Sequence, residues 1–208
     1  MNYNLRNKCI EKAREMKKNH TLKVRNVKKV LKFVPYQTNL SVYEIDYNKL
    51  YSEGKRYILF DLDNTLCPYD RLVISDDELA LLNKLKEIGF KVALISNNNK
   101  KRLIEYINGN DILYTYYALK PRTFGYKRIY KKFNKPNKDK IVTIGDQMMT
   151  DCLGGNKFGV DVIIVKSIKR SNEKWYTVIN RKRSKKILKN IRLIDEVTYH
   201  EIKRVDDK

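Results

Sequence analysis

The 208-residue chain contains few of the features that mark secreted, zinc-binding or membrane-spanning proteins. Its three cysteines, Cys9, Cys67 and Cys152, are widely spaced and form no C-x-x-C pair, which favours reduced thiols over a disulfide framework or a zinc site. No apolar run approaches the roughly 20 residues that cross a bilayer. Residues 1–18 lack an apolar stretch of the signal-peptide kind. We therefore expect a cytoplasmic protein that is either soluble or peripheral at the inner face of the membrane.

Acidic residues are also scarce relative to basic ones, with 24 Asp and Glu against 45 Lys and Arg and a formal net charge of +21. With 42% hydrophobic residues, the chain can still form a full apolar core, so we expect a folded domain and not a disordered one. Two explanations of the charge stay open. One is an anionic partner such as nucleic acid, the ribosome or an anionic membrane, and the other is the Lys-, Asn-, Ile- and Tyr-rich composition that AT-rich genomes produce. Charge alone does not choose between them.

Short apolar runs alternate with amphipathic helices over most of the chain. The expected strands are Tyr57–Phe60, Lys91–Ile95, Leu113–Ala118, Lys140–Ile144 and Val160–Val165. Between the first two strands, Ser75 and Glu78 form a capping box and Gly89 is placed to end the helix. This alternation predicts βαβ units, and hence an α/β fold with helices around a central parallel sheet of about five strands.

The ends of the chain are richer in charge than the middle. Residues 1–30 are expected to form a basic, helical N-terminal extension, 31–195 a single domain, and 196–208 a charged C-terminal tail. Within this division, residues 19–55 are expected to be an irregular lead-in with one short helix. Pro121 suits an early helical position, and the Gly154-Gly155 pair should weaken its helix by about 1 kcal/mol per glycine.

Polar side chains follow the ends of four predicted strands: Asp61 and Asp63 the first, Ser96 the second, Lys120 the third, and Asp146 with Asp151 the fourth. Because the carboxyl ends of parallel strands meet at one edge of a sheet, we expect these side chains to converge there. A carboxylate nucleophile, an acid/base carboxyl, a hydroxyl, a lysine and a metal-binding aspartate form a set suited to phosphoryl transfer. Mg²⁺ prefers such oxygen ligands.

The same residues stand in four ordered motifs: D-x-D-x-T at 61–65, S-N at 96–97, K-P at 120–121 and G-D-x-x-x-x-D at 145–151. They resemble the four motifs of haloacid dehalogenase (HAD) superfamily phosphatases, whose fold is a three-layer Rossmann-like one. Longer stretches resemble the capless subclass IIIA, YqeG-like group, which is related to phosphatidylglycerophosphate phosphatases. The resemblance runs from about Leu31 to Ile191.

The resemblance implies a role for each motif residue. Asp61 would be the nucleophile that forms an aspartyl-phosphate, and Asp63 the general acid/base. Ser96 would hydrogen-bond the phosphoryl oxygens, and Lys120 would neutralise charge. Mg²⁺ would be held by Asp61, by the backbone carbonyl of Asp63 and by Asp146.

Supporting residues are expected around this set. Asp151 would hold the water shell of the metal or orient Lys120, whereas Asn97 and Thr65 are expected to be local turn and loop-bracing residues. Arg71, Arg102 and Arg122 are interpreted as solvated surface arginines, with contacts to substrate anions as the alternative.

The spacing of the motifs leaves room for one loop, one helix and a strand between Asp63 and Ser96, and for less between Ser96 and Lys120. Neither interval can hold a cap domain, so the site should be open to a large or surface-presented substrate. The favoured hypothesis is dephosphorylation of phosphatidylglycerophosphate at an anionic membrane, on the way to phosphatidylglycerol and cardiolipin. The alternatives are a basic ribosome- or RNA-associated protein, and a phosphatase of a soluble sugar or nucleotide phosphate.

Overall fold

The computed structural model describes residues 4–168 and 175–206, with the side chains of 175–182 left out. Six parallel strands form one sheet in the order β1-β6-β5-β2-β3-β4. Their bounds are Gln37–Asn39 (β1), Tyr57–Phe60 (β2), Lys91–Ile95 (β3), Leu113–Thr115 (β4), Ile141–Gly145 (β5) and Asp161–Val165 (β6). The predicted α/β fold with a parallel sheet is confirmed. The expected number of strands was one too low, because β1 was not foreseen.

Helices precede, connect and follow these strands. The α-helices are Leu5–Lys18 (α1), Val27–Val30 (α2), Tyr47–Ser52 (α3), Asp76–Ile88 (α4), Lys100–Ile107 (α5), Phe124–Lys132 (α6), Leu153–Phe158 (α7), Trp175–Arg192 (α8) and Glu196–Asp206 (α9). Short 3₁₀ turns lie at Leu31–Phe33, Val42–Glu44 and Lys138–Lys140, and a π-helical turn spans Met148–Cys152. In the described part of the chain, none of these helices combines the length and the apolar character that a bilayer crossing needs.

Strand β2 occupies the centre of the sheet, paired with β5 on one side and β3 on the other. Its side chains alternate between two apolar cores. Ile58 and Phe60 pack with α4 and α5 on one face, while Leu59 packs with α6 on the other. Burial on both faces explains the continuous apolar sequence of this strand, and it gives the three layers that the fold class requires.

Helix α4 begins and ends where the sequence predicts. The Ser75 side chain accepts a hydrogen bond from the Glu78 backbone N–H, and the Glu78 carboxylate accepts one from the Ser75 backbone N–H. At the other end of the helix, Gly89 takes the left-handed conformation at φ 107°. The glycine pair of α7 has a packing reason. A Cβ on Gly155 would lie 2.6 Å from methyl groups of Thr143 and Val162, so a glycine lets α7 approach the sheet closely.

Three local expectations were wrong. The strand expected to reach Ala118 ends at Thr115, and Pro121 follows a cis peptide bond ahead of α6 instead of starting the helix. The lead-in over 19–55 is ordered structure that includes α2, β1 and α3. Strand β1 pairs with β6, so a polar three-residue segment becomes a strand through its tertiary partner.

Both chain ends pack against the same body. Leu5 and Cys9 of α1 share a buried cluster with Leu188 and Ile191 of α8. Within the segment expected to be a charged tail, α9 buries one face, including Ile202, and contacts β1 and β6. The division into extension, domain and tail stays a prediction.

Candidate active site

Buried acidic and basic side chains meet at the carboxyl edge of the sheet. The Asp61 backbone N–H donates to the Ile144 carbonyl at 2.8 Å. This hydrogen bond extends the pairing of β2 with β5 one residue beyond the end of β2, and it fixes the backbone position of Asp61. The Lys120 Nζ lies between two carboxylates, 2.6 Å from Asp61 Oδ1 and 2.6 Å from Asp151 Oδ1. The structure therefore brings together residues from three of the four predicted strand ends.

Asp146 completes a cluster of three carboxylates. Oxygen atoms of Asp61, Asp146 and Asp151 all lie within 4.8 Å of one another, and all three residues are buried. Thr65 donates its hydroxyl to Asp146 Oδ1 at 3.5 Å, and its expected loop-bracing role stays a prediction. Lys120 contacts two of these three carboxylates, Asp61 and Asp151. An all-oxygen donor set of this kind fits a hard divalent cation.

The electrostatics of the pair follow from burial and crowding. Burial raises the pKa of the Asp61 carboxyl, the attraction of Lys120 opposes this, and the neighbouring charges of Asp151 and Asp146 raise the pKa further. Burial alone would lower the pKa of Lys120, but the two adjacent carboxylates outweigh it and raise that pKa above its ordinary value. The two carboxylates therefore favour the charged form of Lys120.

Asp63 lies at the same edge but outside the three-carboxylate cluster of the described residues. Its carboxylate accepts hydrogen bonds from Asn98 Nδ2 and from Arg102 Nη2, the latter at 2.9 Å. The same Arg102 nitrogen contacts Cys67 Sγ at 3.5 Å. Burial would lower the pKa of Arg102, but Asp63 outweighs it and raises that pKa. Asp63 thus pairs with a second cation of the site, Arg102.

Ser96 and Asn97 occupy the turn after β3. The buried Ser96 hydroxyl oxygen accepts from the Asn98 backbone at 3.1 Å, which leaves its hydroxyl proton to donate elsewhere. Asn97 bonds twice to the backbone of Lys120, accepting from its N–H at 2.7 Å and donating to its carbonyl at 3.3 Å. Asn97 therefore joins the second and third motifs, a more specific role than that of a turn residue.

The π-helical turn after β5 holds Asp151 in place. Asp151 Oδ2 accepts from the Gln147 backbone at 3.2 Å and from the Thr150 hydroxyl at 3.1 Å, while its Oδ1 accepts from Lys120. A Cβ on Gly145 would lie 2.3 Å from Asp151 Cγ, so only glycine permits this approach. Of the two roles foreseen for Asp151, the orientation of Lys120 is the one with a direct contact.

Two of the three arginines that were interpreted as solvated make ion pairs with acidic side chains. Arg102 contacts the candidate site through Asp63, and Arg71 pairs with the buried Glu78 of α4. Arg122 is exposed, as expected. Asn98 was missed, and Arg102 was interpreted as a solvated residue, because their sequence, in S-N-N-N-K-K-R, is that of a helix cap followed by surface cations. The available signal was position, since both residues follow a strand end that carries a motif.

The chain between the motifs is fully described and contains no inserted domain. Between Asp63 and Ser96 lie a loop, α4 and β3, and between Ser96 and Lys120 lie α5 and β4. The fold and the site together define a capless α/β enzyme of the HAD-like class.

Comparisons with known proteins agree with that class. Residues 118–192, which contain Lys120, Asp146 and Asp151, match a family model described as HAD-hydrolase-like. The chain is 31% identical over 169 residues to the probable phosphatase YqeG of Bacillus subtilis strain 168, a match that covers 81% of this chain and 97% of that protein. The chain belongs to this family of HAD-like phosphatases, and it is itself a phosphatase.

A solved structure of an uncharacterized protein from Listeria monocytogenes serotype 4b is similar over 57% of this chain and 84% of its own. Its TM-score is 0.45 at 16% identity, which is too low to bear on function.

Proposed function

We propose that this phosphatase hydrolyses phosphatidylglycerophosphate to phosphatidylglycerol through an aspartyl-phosphate on Asp61, with Mg²⁺ as cofactor. The observation that carries the mechanism is the position of Lys120 Nζ, 2.6 Å from both Asp61 and Asp151. A buried cation beside the attacking carboxylate would stabilise the charge that collects on the transferring phosphoryl group.

In the first half-reaction, an Asp61 carboxylate oxygen attacks the phosphorus atom, and the bond from phosphorus to the glycerol oxygen breaks. Asp63 gives its proton to that leaving oxygen, so the lipid departs as an alcohol. Ser96 donates its hydroxyl to a phosphoryl oxygen, and Lys120 offsets the negative charge. Arg102 and Asn98 fix the Asp63 carboxyl during this transfer, since both contact it directly.

In the second half-reaction, a water molecule attacks the phosphorus atom of the aspartyl-phosphate. Asp63, now ionised, takes a proton from that water, and the bond to Asp61 breaks. Inorganic phosphate leaves and both carboxyls return to their starting states. Dividing the displacement in two replaces one difficult step with two easier ones.

The carboxylates present fit Mg²⁺, because they offer buried oxygen ligands. Asp61, Asp146 and the backbone carbonyl of Asp63 would hold the ion. When bound, Mg²⁺ supplies positive charge that neutralises the phosphoryl oxygens.

The lipid substrate is supported by three features. The motif intervals contain no cap that would enclose a small metabolite. The chain has a net charge of +21, which favours an anionic surface. Its motifs also resemble those of the group related to phosphatidylglycerophosphate phosphatases. These features favour a substrate presented at a surface over a soluble sugar or nucleotide phosphate.

The test is phosphate release from vesicles that contain phosphatidylglycerophosphate, with Mg²⁺. We expect Asp61→Asn to lower kcat by at least about 1,000-fold, because the nucleophile is lost. Asp139→Asn is the matched control and should retain wild-type turnover, because this exposed aspartate lies before the amino end of β5, at the edge of the sheet opposite the active site. Wild-type release no higher than that of Asp61→Asn would reject the lipid substrate, and turnover of soluble phosphate esters alone would support the metabolite alternative.

A further inference from the structure

Four large apolar side chains stand out from the surface in segments that follow strand ends. Leu72, Tyr117, Leu119 and Ile168 are 55%, 54%, 50% and 49% exposed. We call these four residues the apolar collar. They belong to the segments after β2, β4 and β6, whose carboxyl ends all lie at the edge of the sheet that carries the active site.

Backbone contacts tie the collar to the catalytic residues. The Leu72 carbonyl accepts from Arg102, the residue that holds Asp63, at 3.3 Å. The Tyr117 N–H donates to the carbonyl of Asn98, the other residue that holds Asp63, at 2.8 Å.

The remaining two collar residues are also close to the active site, Ile168 through a hydrogen bond and Leu119 through its place in the chain. The Ile168 N–H donates to the carbonyl of Asn64, which follows Asp63, at 3.0 Å. Leu119 directly precedes Lys120. Each collar residue is therefore one contact or one peptide bond from the active site, and the collar borders its entrance.

Exposed apolar residues are concentrated at this edge. Except for Ile104, Leu193 and Val197, every exposed large apolar side chain of the described residues lies in the segment that runs from a strand end to the first residue of the following α-helix, or just after the last strand. Single exposed apolar residues are ordinary on protein surfaces, whereas several at one edge of a sheet favour a site of interaction.

The backbone at two collar positions is strained in a way that keeps the side chains outward. Tyr117 and Leu119 have φ values of 42° and 56°, a left-handed conformation that bulky residues rarely adopt. The intervening Ala118 and the following Lys120 are buried. The same strained turn thus inserts Lys120 into the site and presents two apolar side chains to the outside.

Cationic side chains accompany the collar. Lys100 and Lys101 begin α5 after β3, Arg122 follows Lys120, and Lys166 follows β6, and all four are exposed. Apolar side chains set among lysines and arginines are the pattern by which proteins bind the interfacial region of an anionic bilayer.

We propose that the collar inserts into the interface of an anionic membrane and places the entrance of the active site against the lipid phosphates. The inference rests on the proposed lipid substrate. A protein partner or a second copy of the chain on the collar would compete with the substrate for this edge, because the collar residues lie in the same segments that carry the active site. A lipid surface can cover the collar and deliver the phosphomonoester at the same time.

The test uses vesicles of phosphatidylglycerol and phosphatidylcholine that contain no phosphomonoester, so that binding is measured without turnover. The fraction of full-length protein that sediments with the vesicles is measured at about 0.15 M salt, where long-range attraction is screened. The variants are Leu72→Ser with Ile168→Ser, and separately Leu119→Asn, since asparagine tolerates a left-handed backbone. Leu193→Ser is the matched control, because Leu193 is 50% exposed and lies between α8 and α9.

We expect each collar variant to partition into vesicles about tenfold more weakly than the wild type, because apolar area drives interfacial insertion, and Leu193→Ser to partition as the wild type does. Collar variants that bind as tightly as the wild type, while remaining folded by circular dichroism, would overturn the proposal. So would an equal loss in Leu193→Ser. Phosphatidylglycerophosphate turnover is measured separately, so collar-dependent binding without turnover would reject the substrate and leave the docking surface standing.

Discussion

Lys120 shows how a single side chain combines stability and chemistry at this site. Its ammonium group is buried and contacts two carboxylates. The Asn97 side chain makes hydrogen bonds with both the N–H and the carbonyl of its backbone. Breaking such a buried pair is costly, because the remaining charges lose their partner without regaining water. Among the described residues the lysine contacts two of the three clustered carboxylates. A cluster of carboxylate oxygens of this kind is what a hard divalent cation would bind.

Asp146→Asn tests this expectation without any need for activity. Mg²⁺ should raise the melting temperature of the wild type, since a ligand at 100 times its Kd stabilises the folded state by about 2.7 kcal/mol. The variant should lose most of that rise, because one of the oxygen anions is gone. Without metal, Asp146→Asn should be at least as stable as the wild type, since three crowded charges become two.

Differential scanning fluorimetry over a Mg²⁺ series measures both effects, with Asp139→Asn as the control that should respond as the wild type does. An unchanged Mg²⁺ response in Asp146→Asn would contradict the assignment of this residue as a ligand.

Gly145→Ala tests the position of Asp151. The added Cβ would lie 2.3 Å from Asp151 Cγ and 2.8 Å from Oδ2, so the carboxylate must move away from Lys120. We expect kcat to fall by about 100-fold, the effect of a displacement of about 1 Å in a catalytic group. Steady-state kinetics and the melting temperature are measured together.

Gly54→Ala is the control that distinguishes displacement of the Asp151 carboxylate from a general loss of stability. Gly54 has φ 91° and no atom within 4 Å of an added Cβ, so alanine strains the backbone and leaves Asp151 untouched. This control should melt at a lower temperature and keep its kcat. If Gly145→Ala behaved in the same way, the close approach of Asp151 would have no catalytic role.

The sequence predicted which motif residues meet at the site, but it did not predict the residues that contact them. Asp61, Lys120 and Asp146 were predicted to converge because each follows a predicted strand, and the fold places them together. Arg102 was interpreted as a solvated residue, with a substrate contact as the alternative, since nothing in a helix N-terminus of surface cations reveals a contact with Asp63, 39 residues away in the chain. That contact depends on how α5 packs beside β2.

At the scale of elements, the local sequence pattern predicts the regular helices and the central strands. The elements at the edge of the sheet depend instead on the strands and helices against which they pack. The capping box of α4 and the apolar run of β2 were both predictable. Strand β1 is Gln-Thr-Asn and has no strand pattern, and β6 supplies the partner that makes it a strand. Helix α9 was assigned to a tail because its sequence is rich in charge, and only its buried face shows that it packs against the sheet.

Asp195 connects the elements at the two ends of the chain. Its side chain is 1% exposed, pairs with Lys12 of α1 at 2.6 Å, and accepts from Thr198 Oγ1 and the Val197 backbone at the start of α9. Burial by itself would raise the pKa of Asp195, but these hydrogen bonds outweigh it and hold the pKa below the ordinary 3.8. The ionised form is thus the one that joins α1 to α9.

Asp195→Asn should lower the free energy of unfolding by about 1–2 kcal/mol at neutral pH, the value of a helix cap and its hydrogen bonds. A depressed carboxyl pKa contributes stability that is complete above 3.8 and is lost as pH falls below that value through the folded-state pKa. The difference between wild type and variant should therefore be constant from pH 7 to about 5 and shrink below 3.8.

Urea unfolding at several pH values measures this difference. Lys12→Met, which removes the pair with α1 and keeps the cap of α9, should show a smaller loss at neutral pH. A difference between wild type and Asp195→Asn that stayed constant down to pH 2.5 would show that the charge of Asp195 has no part in joining the two helices.

At the scale of the whole molecule, the net charge of +21 bears on the choice between the two proposed anionic partners, a membrane and nucleic acid. The exposed cations after β3, β4 and β6 lie at the same edge as the apolar collar, which favours the proposed membrane. Nucleic acids are bound mainly through phosphate contacts, so their affinity falls steeply with salt. A lipid interface adds apolar insertion, which salt does not weaken.

This difference predicts distinct salt dependences for the two partners. From about 0.05 to 0.2 M salt, binding to ribosomal RNA should fall by about 1,000-fold if six or more phosphate contacts carry it. Binding to phosphatidylglycerol vesicles should fall less, because the collar keeps its apolar contribution. Fluorescence anisotropy for RNA and vesicle sedimentation, both with the full chain, provide the two curves. If RNA instead remained the tighter ligand at about 0.15 M salt, the positive charge would belong to a ribosome- or RNA-associated role, and the membrane would not be the surface on which the active site works.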